Sequence, residues 1–444
     1  MAYSQVKGRR PFERASKIAH AEILNNPTVQ QFVQGCTLPA TPAQGQLDNL
    51  LVQLPSGDGR VTTIIAVDGG STEVPVRKEF PSASISFMTF GPLLLTLKDL
   101  KEVDQMSFIG PEDMVRFRNL ERYNLTLPVK GVKAKGAAGF ADGVRATIQE
   151  FFAVTHPEML AALRWLLFRE WLPPSQRTEW EIPRCPYASC TSGPIVLKSG
   201  CPAESACPTC SRPVYISDAL RMYERIDEEL GAAGIVSYLL TSLEQLVIVH
   251  LIKSVWLLKP QLLREILFVK DGPLAFFGVT APLHKPMRAL MEFLGTQDAG
   301  KPLINMVGLE KSGPFVEHAM LIEPLLKPGD CLLLKNDYIY RYVQPGDPAE
   351  QSFGRNTYYG AKAIFKGAAN DTYVATVPTG AYRPDPGFAD LFNGGEVLAV
   401  TSRLRCSMYD NALVPIVLAN RLVSLADVPS SEILARFAKS SMHV

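Results

Sequence analysis

Two short stretches of the sequence place an aspartate at the end of an apolar run. Asp68 ends the run of residues 61–68, Asp271 ends the run of residues 266–271, and a glycine follows each aspartate. An apolar, β-branched run predicts a buried strand, and the glycine allows the chain to turn at its end. Side by side, two such strands would bring two carboxylates together, and a cation between them would relieve their repulsion. The alternative is that both aspartates are turn residues, since Asp-Gly is a common turn dipeptide.

A third carboxylate lies in the most apolar part of the chain. Residues 234–253 predict a long buried helix, and Glu244 falls on its apolar face together with Leu240, Val247, Ile248 and Leu251. A carboxylate in that position requires a cation, an arginine or a proton as its partner. Glu265 is the rival candidate for a third acidic ligand, although its place directly before the second strand predicts a solvated turn.

The cysteines predict a metal site of a different kind. Five of the eight cysteines lie between residues 185 and 210, in the pairs Cys185/Cys190 and Cys207/Cys210 with Cys201 between them. Two pairs some 17 residues apart fit a tetrahedral zinc-thiolate ribbon, and Cys201 could replace one of the four ligands. A redox role for Cys207 and Cys210 is the weaker alternative, because no thioredoxin-like βαβ pattern surrounds them. Such a cluster is typical of a reducing compartment.

A basic segment that contains glycines lies between the first strand and the cysteines. Lys130, Lys133 and Lys135 alternate with small residues within residues 128–136. A flexible basic loop is suited to phosphate contacts, which need charge and reach rather than a fixed shape. A solvated surface loop without a binding role would explain the same composition.

The two aspartate stretches resemble the motifs of the NurA nuclease family. Members of that family carry a strand ending in Asp-Gly-Ser near the N-terminus and a later strand ending in Asp-Gly-Ser/Pro-Leu. Here the first motif reads Asp68-Gly69-Gly70-Ser71, with one extra glycine, and the second reads Asp271-Gly272-Pro273-Leu274. The likeness runs discontinuously from about Val61 to Leu425. It implies an RNase H-like core, catalysis with a divalent metal, and partnership with a HerA-type hexameric ATPase.

The resemblance also implies roles for individual residues. In the family a metal-binding glutamate precedes the second aspartate on a helix, which favours Glu244, 27 residues before Asp271. A lysine often follows a later strand near the DNA, and Lys311 takes that position here, with a surface lysine as the alternative. The family ends with an apolar, proline-containing helix that bears Ala-His or Ala-Asp. In residues 414–421 the matching position is Asn420, which supplies a neutral oxygen ligand but cannot act as a base.

Length and composition are those of a large globular protein. The 444 residues are 47% hydrophobic and 20% charged, with a formal net charge of +1. Any nucleic-acid surface must therefore be a local basic patch. The first ten residues lack an apolar signal core. Glu244, Gln245 and His250 interrupt the longest apolar stretch, which argues against a membrane span. We therefore expect a cytoplasmic protein.

These features predict an α/β protein with an RNase H-like mixed sheet, flanking helices and an inserted zinc ribbon. The ribbon resembles an insertion found in some bacterial NurA-like proteins. The expected segments are a helical and linker region (1–50), the first part of the core (51–180), the ribbon (181–216) and the second part of the core (217–444).

The pattern of apolar residues predicts further elements. A strand at residues 83–90 is expected to pair with the first strand as a hairpin. Other strands are predicted at residues 274–279, 331–334, 338–343, 358–365 and 372–377. Helices are predicted at residues 111–123 and from Ser217, as the N-cap, to Leu230.

The predicted activity is metal-dependent hydrolysis of DNA. Asp68, Glu244 and Asp271 would hold two Mn²⁺ or Mg²⁺ ions, one to generate hydroxide and one to stabilise the leaving oxygen. Oxygen ligands suit these hard cations, whereas thiolates suit zinc. The expected partners are DNA, a HerA-like ATPase and a second copy of the chain in a homodimer.

Two other functions stay open at this point. A non-catalytic DNA-binding or scaffold subunit of the ATPase complex is favoured by Asn420 and opposed by the presence of both Asp-Gly strands. A zinc-ribbon regulator would leave most of the chain unexplained. None of the six histidines falls in a nucleophile motif, so an acyl-transfer hydrolase has little support.

Overall fold

A mixed sheet of nine strands forms the centre of the described structure. The computed structural model describes residues 18–55, 59–98, 122–298, 301–406, 412–425 and 430–442. Its strands within these ranges are β1 (Leu51–Gln53), β2 (Thr63–Arg77), β3 (Ala83–Thr96), β4 (Tyr123–Lys130), β5 (Trp180–Ile182), β6 (Ile195–Leu197), β7 (Glu204–Ala206), β8 (Pro213–Tyr215), β9 (Ile266–Asp271), β10 (Asn305–Glu310), β11 (Asp330–Leu333), β12 (Gly360–Lys366) and β13 (Thr372–Pro378). The sheet has the order β1-β11-β12-β13-β10-β9-β2-β3-β4, and β5–β6 and β7–β8 form two separate hairpins. Residues 111–121, part of a predicted helix, lie outside the described ranges, and Tyr123 begins β4 instead.

Strands β2, β9 and β10 run parallel and set the position of both aspartates. β9 pairs with β2 as far as Val67↔Lys270 and with β10 as far as Asp271↔Leu309. β3 and β4 extend the sheet beyond β2 as an antiparallel meander, so the predicted strand at residues 83–90 and its hairpin with the first strand are confirmed. The register differs from the prediction, because β2 does not turn after Asp68 but continues to Arg77, and residues 83–90 pair with this second half of β2. The carboxyl ends of β9 and β10 therefore meet at one edge, next to the middle of the longer β2.

Helices cover both faces of the sheet. In the described part of the chain the α-helices are α1 (Ile18–Leu24), α2 (Pro27–Gly35), α3 (Gln44–Leu47), α4 (Phe140–Glu150), α5 (Pro157–Leu167), α6 (Val236–Leu258), α7 (His284–Thr296), α8 (Pro314–Ile322), α9 (Asn336–Tyr342), α10 (Gly394–Ser402), α11 (Val414–Val423) and α12 (Ser430–Ser441). Helices α4, α5 and α6 pack on the face that carries Ile65 and Val67, and α10 and α11 pack on the face that carries Ile64 and Ala66. Because both faces are buried, the first half of β2 is continuously apolar rather than alternating.

The long helix α6 crosses the core beside β2. Among the described helices it is the one long and apolar enough to cross a membrane by length and composition, but 61% of its most apolar stretch is buried inside the protein. Gln245 fixes it in place, because its side chain accepts a hydrogen bond from Tyr359 Oη (2.8 Å) and donates one to the backbone oxygen of Ala275 (3.1 Å). This anchor is one residue from Glu244, so the helix presents that carboxylate from a fixed position.

Two of the predicted strands are wrong. Residues 338–343 lie in α9, because Tyr338 and Tyr342 recur at helical spacing and pack in one buried cluster. Residues 274–277 form a loop with a single β-bridge, Ala275↔Tyr358, and Gly278 begins a 3₁₀ helix, Gly278–Leu283. Most of the apolar side chains in this range are buried without a strand ladder. The antiparallel strands predicted at residues 331–334, 358–365 and 372–377 are confirmed as β11, β12 and β13.

The helix predicted from Ser217 to Leu230 is also wrong. The chain forms a short 3₁₀ helix, Ile216–Leu220, followed by turns. Ser217 does not act as an N-cap, because its hydroxyl donates a hydrogen bond to Gln149 Oε1 at 2.8 Å. The neighbouring Asp218 forms a buried ion pair with α4. These two contacts tie the segment to α4, which the local sequence does not show.

The segment predicted to be a zinc ribbon consists of the two separate hairpins and packs into the main core. β5 pairs with β6, and β7 pairs with β8. Ile182, Ile195 and Val214 are buried in the same hydrophobic cluster as helices α4 to α6. Each cysteine pair lies between the two strands of one hairpin. The ribbon is therefore continuous with the core rather than a detached insertion.

A buried histidine on α8 predicts a dependence of stability on pH. His318 is 5% exposed, and its Nε2 lies 2.9 Å from Tyr338 Oη. Burial lowers the pKa of His318 to about 4 from the ordinary value of 6.5. The unfolded chain therefore gains a proton below pH 6.5 while the folded chain does not until about pH 4. Stability should fall across that window by up to about 3 kcal/mol.

The variant His318→Gln should lose this part of the acid sensitivity. Thermal melts at about pH 7.5 and about pH 5 are expected to differ less for the variant than for the wild type. His20→Gln changes an exposed residue of α1 and should keep the wild-type dependence. Equal pH dependence of His318→Gln and the wild type would show that the buried histidine does not cause the effect.

Candidate active site

Asp68 and Asp271 meet at the edge of the sheet where β9 ends. Val67 and Lys270 are register partners on the parallel strands, so the two aspartates are the next residues along neighbouring strands. Residues in register on parallel strands point to the same face of a sheet. Both side chains therefore lie on the face that α11 covers. The structure brings together two residues that are 203 positions apart in the sequence.

Asp68 is held in nearly dry surroundings. It is 4% exposed, and its Oδ1 accepts a hydrogen bond from the backbone N–H of Gly69 (2.8 Å). Its Oδ2 is buried and has no hydrogen-bond partner among the described residues. Burial, followed by the charge of Asp271, raises the pKa of Asp68 to about 6, against the opposing effects of Gly69, Asn420 and Lys311. These are properties of a carboxylate whose natural partner is a cation.

Glu244 lines the same cleft but approaches it from α6, on the opposite face of the sheet. The helix passes so close to β2 that a Cβ at Gly69 would lie 2.8 Å from Glu244 Oε1, so the glycine is needed for the approach. Glu244 is 7% exposed. Burial raises its pKa to about 8, Lys270 opposes this rise, and the two aspartates add to it. The helix therefore brings a third acidic oxygen to the end of β9 and the middle of β2.

The rival Glu265 lies at the opposite edge of the sheet. It ends the 3₁₀ turn Pro260–Glu265, it is exposed, and its backbone oxygen accepts a hydrogen bond from Thr62 N–H (2.9 Å). The length of β9 separates it from Asp271 by roughly 20 Å. The structure thus places Glu244, and not Glu265, beside the aspartates.

Asp271 is the most exposed of the three carboxylates and pairs with a lysine. Its side chain is 25% exposed, and its Oδ2 accepts a hydrogen bond from Lys311 Nζ at 2.7 Å. Lys311 directly follows β10, the parallel neighbour of β9, and its side chain is 41% exposed. The three carboxylates and Lys311 line an open cleft of about 470 Å³. A cation or a phosphate can reach this cleft from solvent.

Two charged residues of the cleft were not found from the sequence. Lys270 is 3% exposed, lies with its Nζ 3.6 Å from Glu244 Oε2, and donates a hydrogen bond to the backbone oxygen of Asp271. Glu310, at the end of β10, also lines the cleft and is paired with the buried Lys362. The sequence could have identified Lys270, because it is a charged residue inside an apolar run. Such a residue in a buried strand needs a partner of opposite charge.

Helix α11 places Asn420 beside Asp68 and explains the extra glycine of the first motif. The side chain of Asn420 favours the charged form of Asp68 and so lowers the pKa of that carboxyl. Behind this contact, a Cβ at Gly70 would lie 2.3 Å from the backbone oxygen of Val423, the last residue of α11. The second glycine therefore lets the end of α11 pack against β2.

We expect the variant Gly70→Ala to destabilise the protein by about 1–3 kcal/mol, because the added methyl group must displace α11 or β2. Thermal denaturation checks this directly. Gly35→Ala is the matched control, since a Cβ at that position, the end of α2, would meet nothing within 4 Å. A melting temperature of Gly70→Ala equal to that of the wild type would contradict the close packing of α11.

The donor atoms of the cleft fit Mn²⁺ or Mg²⁺. All acidic donors are oxygens, which hard divalent cations prefer. The buried oxygen of Asp68 has no partner among the described residues, and both Asp68 and Glu244 resist ionisation without a cation because their pKa values are raised. Asn420 lies beside Asp68 but is not among the residues that line the cleft. A divalent cation would stabilise the charged forms of these carboxylates together.

The predicted basic loop lies at the same end of the sheet but outside the cleft. Lys130 ends β4 and pairs with Ser84, which is close in register to Pro75 of β2. Pro75 lies seven residues beyond Asp68, which puts Lys130 roughly 25 Å from Asp68. All three lysines, Lys130, Lys133 and Lys135, are exposed. They are therefore too far from Asp68 to contact a group bound in the cleft.

The four predicted cysteine ligands form one cluster. Their Sγ atoms all lie within 4.8 Å of one another, with 3.8 Å between Cys185 and Cys210 and 3.8 Å between Cys190 and Cys207. Four thiolates about 2.3 Å from a tetrahedral zinc lie about 3.8 Å apart. Cys201, the fifth thiol, is outside this cluster. The cluster could hold a metal ion.

The backbone of the second hairpin favours a thiolate in this cluster. Burial opposes ionisation of Cys207, but the N–H groups of Cys210 and Thr209 outweigh it and lower the pKa of Cys207 to about 6. The N–H of Arg212 likewise lowers the pKa of Cys210. In the first hairpin, burial raises the pKa of Cys185, and the pKa of Cys190 is also raised although the Ser192 N–H points at its Sγ (3.4 Å). Thiolates are the form that binds zinc.

Solved NurA structures are similar to this chain over nearly its whole length. The NurA nuclease from Sulfolobus solfataricus aligns with 97% of this chain and 98% of its own, at 8% identity and a TM-score of 0.32. A structure of NurA with manganese aligns over 94% of both chains (12% identity, TM-score 0.30), and one of NurA bound to dAMP and manganese over 93% of both (11%, 0.26). No protein-family model and no curated protein matches the sequence. Because these TM-scores are below 0.5, the resemblance concerns the chains as a whole and carries no argument about the chemistry of the cleft.

Proposed function

We propose that this protein is a deoxyribonuclease that hydrolyses phosphodiester bonds with a divalent metal. The observation that carries the proposal is the convergence of Asp68, Glu244 and Asp271, from two strands and a helix, on one cleft. Two of the three are buried and resist ionisation because their pKa values are raised. Mutually repelling carboxylates in a cleft do not stabilise a fold, and such groups are typical of functional sites.

The residues of the cleft would divide the chemistry between them. Asp68, Asp271 and Glu244 would hold Mn²⁺ or Mg²⁺, which when bound lowers the pKa of water and offsets charge on the phosphate. The rigid strands and helix keep the ligand oxygens in place. Lys311 is exposed enough to move from Asp271 to a phosphate oxygen of the substrate. Asn420 can orient a ligand by hydrogen bonds but cannot take up a proton as a base.

We further propose that the core is RNase H-like. The order β4-β3-β2-β9-β10 supports this, because an antiparallel meander of three strands is followed by two strands parallel to its first member. The two aspartates lie on the central pair of this arrangement. Strands β13, β12, β11 and β1 extend the sheet beyond β10.

The ribbon is proposed to hold one structural Zn²⁺ through Cys185, Cys190, Cys207 and Cys210. The spacing of the sulfur atoms and their position between the strands of two hairpins support this role. The cleft and the cysteine cluster would thus bind different metals through different donor atoms.

The proposed partners are DNA, a second copy of the chain and a HerA-like hexameric ATPase, in DNA end processing or defence against phage within the cytoplasm. A formal net charge of +1 gives little long-range attraction to DNA, so a motor that delivers the strand would be an advantage. Lys130, Lys133 and Lys135 would contact phosphates of the incoming strand. Helix α2 buries none of its residues and exposes Phe32 and Val33, which gives apolar surface for protein contacts.

A cleavage assay tests the proposal. Purified protein is incubated with end-labelled single-stranded and double-stranded DNA, with Mn²⁺, with Mg²⁺ or with neither, and with or without a HerA-like ATPase. We expect cleavage that requires the divalent ion. The absence of cleavage of every DNA under all these conditions would reject the nuclease and leave the scaffold function, which Asn420 in place of a base favours.

A further inference from the structure

A buried lysine lies among the carboxylates of the cleft. Lys270 is on β9 directly before Asp271, and strand alternation directs it to the face that also carries Phe268. Its Nζ lies 3.6 Å from Glu244 Oε2. It is 3% exposed, and its contacts with Glu244 and with the backbone oxygen of Asp271 keep its ammonium group within the site. It therefore belongs to the fixed charge of the site.

The charge balance of the cleft limits the number of cations that it can hold. Asp68, Glu244 and Asp271 supply three negative charges when ionised, and Lys270 cancels one of them. Lys311 is also paired with a carboxylate, but it is 41% exposed and can move away. The two remaining charges balance one divalent ion. A second ion would leave an excess of positive charge in a largely buried site, which is unfavourable.

The fourth carboxylate of the cleft does not change this balance. Glu310 is paired with Lys362, whose side chain is 3% exposed and therefore also fixed. The two Glu244 oxygens are used differently, since Oε2 lies near Lys270 and Oε1 lies near Gly69, the residue after Asp68. Glu244 can thus contribute one oxygen to a cation and keep the other for the lysine.

We propose that Lys270 takes the place of a second metal ion beside Glu244, so that the cleft binds one divalent cation per chain rather than two. This inference rests on the proposed nuclease function. It makes Lys270 a positioning residue, which holds Glu244 and supplies a positive charge without touching the substrate.

Counting bound Mn²⁺ tests this in the full-length protein with the cysteine cluster saturated with zinc. Equilibrium dialysis is expected to give about one Mn²⁺ per wild-type chain, with the electron paramagnetic resonance signal of an isolated ion, both alone and with saturating dAMP. Lys270→Met should admit a second ion, with a count of about two and a spin-coupled signal. Lys366→Met is the matched control, because Lys366 is a buried lysine (5% exposed) on β12 that donates to Glu323 O. It should leave the count at one.

The outcomes separate this inference from the function on which it rests. Two spin-coupled ions in the wild type would overturn the role of Lys270 and leave the nuclease intact. A count of one in both the wild type and Lys270→Met would also overturn it. No bound Mn²⁺ in the wild type would reject both the inference and the metal site of the proposed nuclease. The number of Mn²⁺ ions bound per wild-type chain is measured without any variant. It therefore decides between one ion and two even if Lys270→Met does not fold.

Discussion

Replacing Asp68 or Asp271 with asparagine is expected to abolish metal-dependent DNA cleavage, with a loss of about 10³-fold or more. Each change removes a charged oxygen from a rigid strand, in the middle of β2 for Asp68 and at the end of β9 for Asp271. Stability should stay the same or rise, because the repulsion between the two aspartates is relieved and the amide oxygen of Asp68→Asn can still accept the Gly69 N–H. Cleavage rates measured with Mn²⁺ report the loss of chemistry. Thermal melts recorded without metal report any loss of folding.

A pair of glutamate variants provides the matched control. Glu244→Gln should be inactive like the aspartate variants, because Glu244 lies close enough to Asp68 and Asp271 for their charges to raise its pKa. Glu265→Gln should retain full activity, because that side chain is exposed at the opposite edge of the sheet. An active Glu244→Gln together with an inactive Glu265→Gln would show that the wrong glutamate has been placed in the site.

Loss of the ribbon metal is expected to have the largest effect on stability. Cys207→Ser should abolish zinc binding and lower the free energy of unfolding by several kcal/mol, since a structural zinc contributes directly to folding. The effect should spread beyond the ribbon, because Ile182 and Val214 belong to the main hydrophobic cluster and Arg145 of α4 packs 4.6 Å from the ring centre of Tyr187. Elemental analysis measures the zinc content, and thermal denaturation measures the loss of stability.

A variant of Cys201, the fifth thiol, tests whether the four zinc ligands are correctly assigned. Cys201→Ser removes a cysteine that lies outside the cluster and should keep one zinc per chain with an unchanged melting temperature. Zinc-free wild-type protein, purified under reducing conditions, would contradict the site altogether. Loss of zinc in Cys201→Ser would show that Cys201 is a ligand.

Those parts of the fold that local sequence dictates were predicted. An apolar run marks a buried strand, so β2 and β9 were predicted, and parallel pairing brings their aspartates together. The predicted exit is correct for β9, which ends at Asp271, and wrong for β2, which continues past Asp68 to Arg77. The cysteine spacing likewise predicted a four-sulfur cluster. Both patterns are short, and the residues that define them are themselves the proposed metal ligands.

Features that depend on distant contacts were not predicted. The second glycine of the first motif, Gly70, is required by the end of α11, which approaches from more than 300 residues later in the chain. Lys270 was passed over because its partner, Glu244, comes from a helix on one face of the sheet. Ser217 was assigned as an N-cap, although its hydroxyl bonds to Gln149 on α4. In each case the contact that explains the residue comes from a helix that is distant in the sequence.

Asp68, Glu244 and Asp271 are proposed to bind a divalent cation. Anomalous diffraction at the manganese edge, from crystals grown with Mn²⁺, tests this proposal most directly. We predict a peak within bonding distance of all three carboxylates in the wild type, and its loss in Asp271→Asn. Wild-type crystals with no peak in the cleft, or with manganese at the cysteine cluster alone, would contradict the assignment of this cleft as the catalytic metal site.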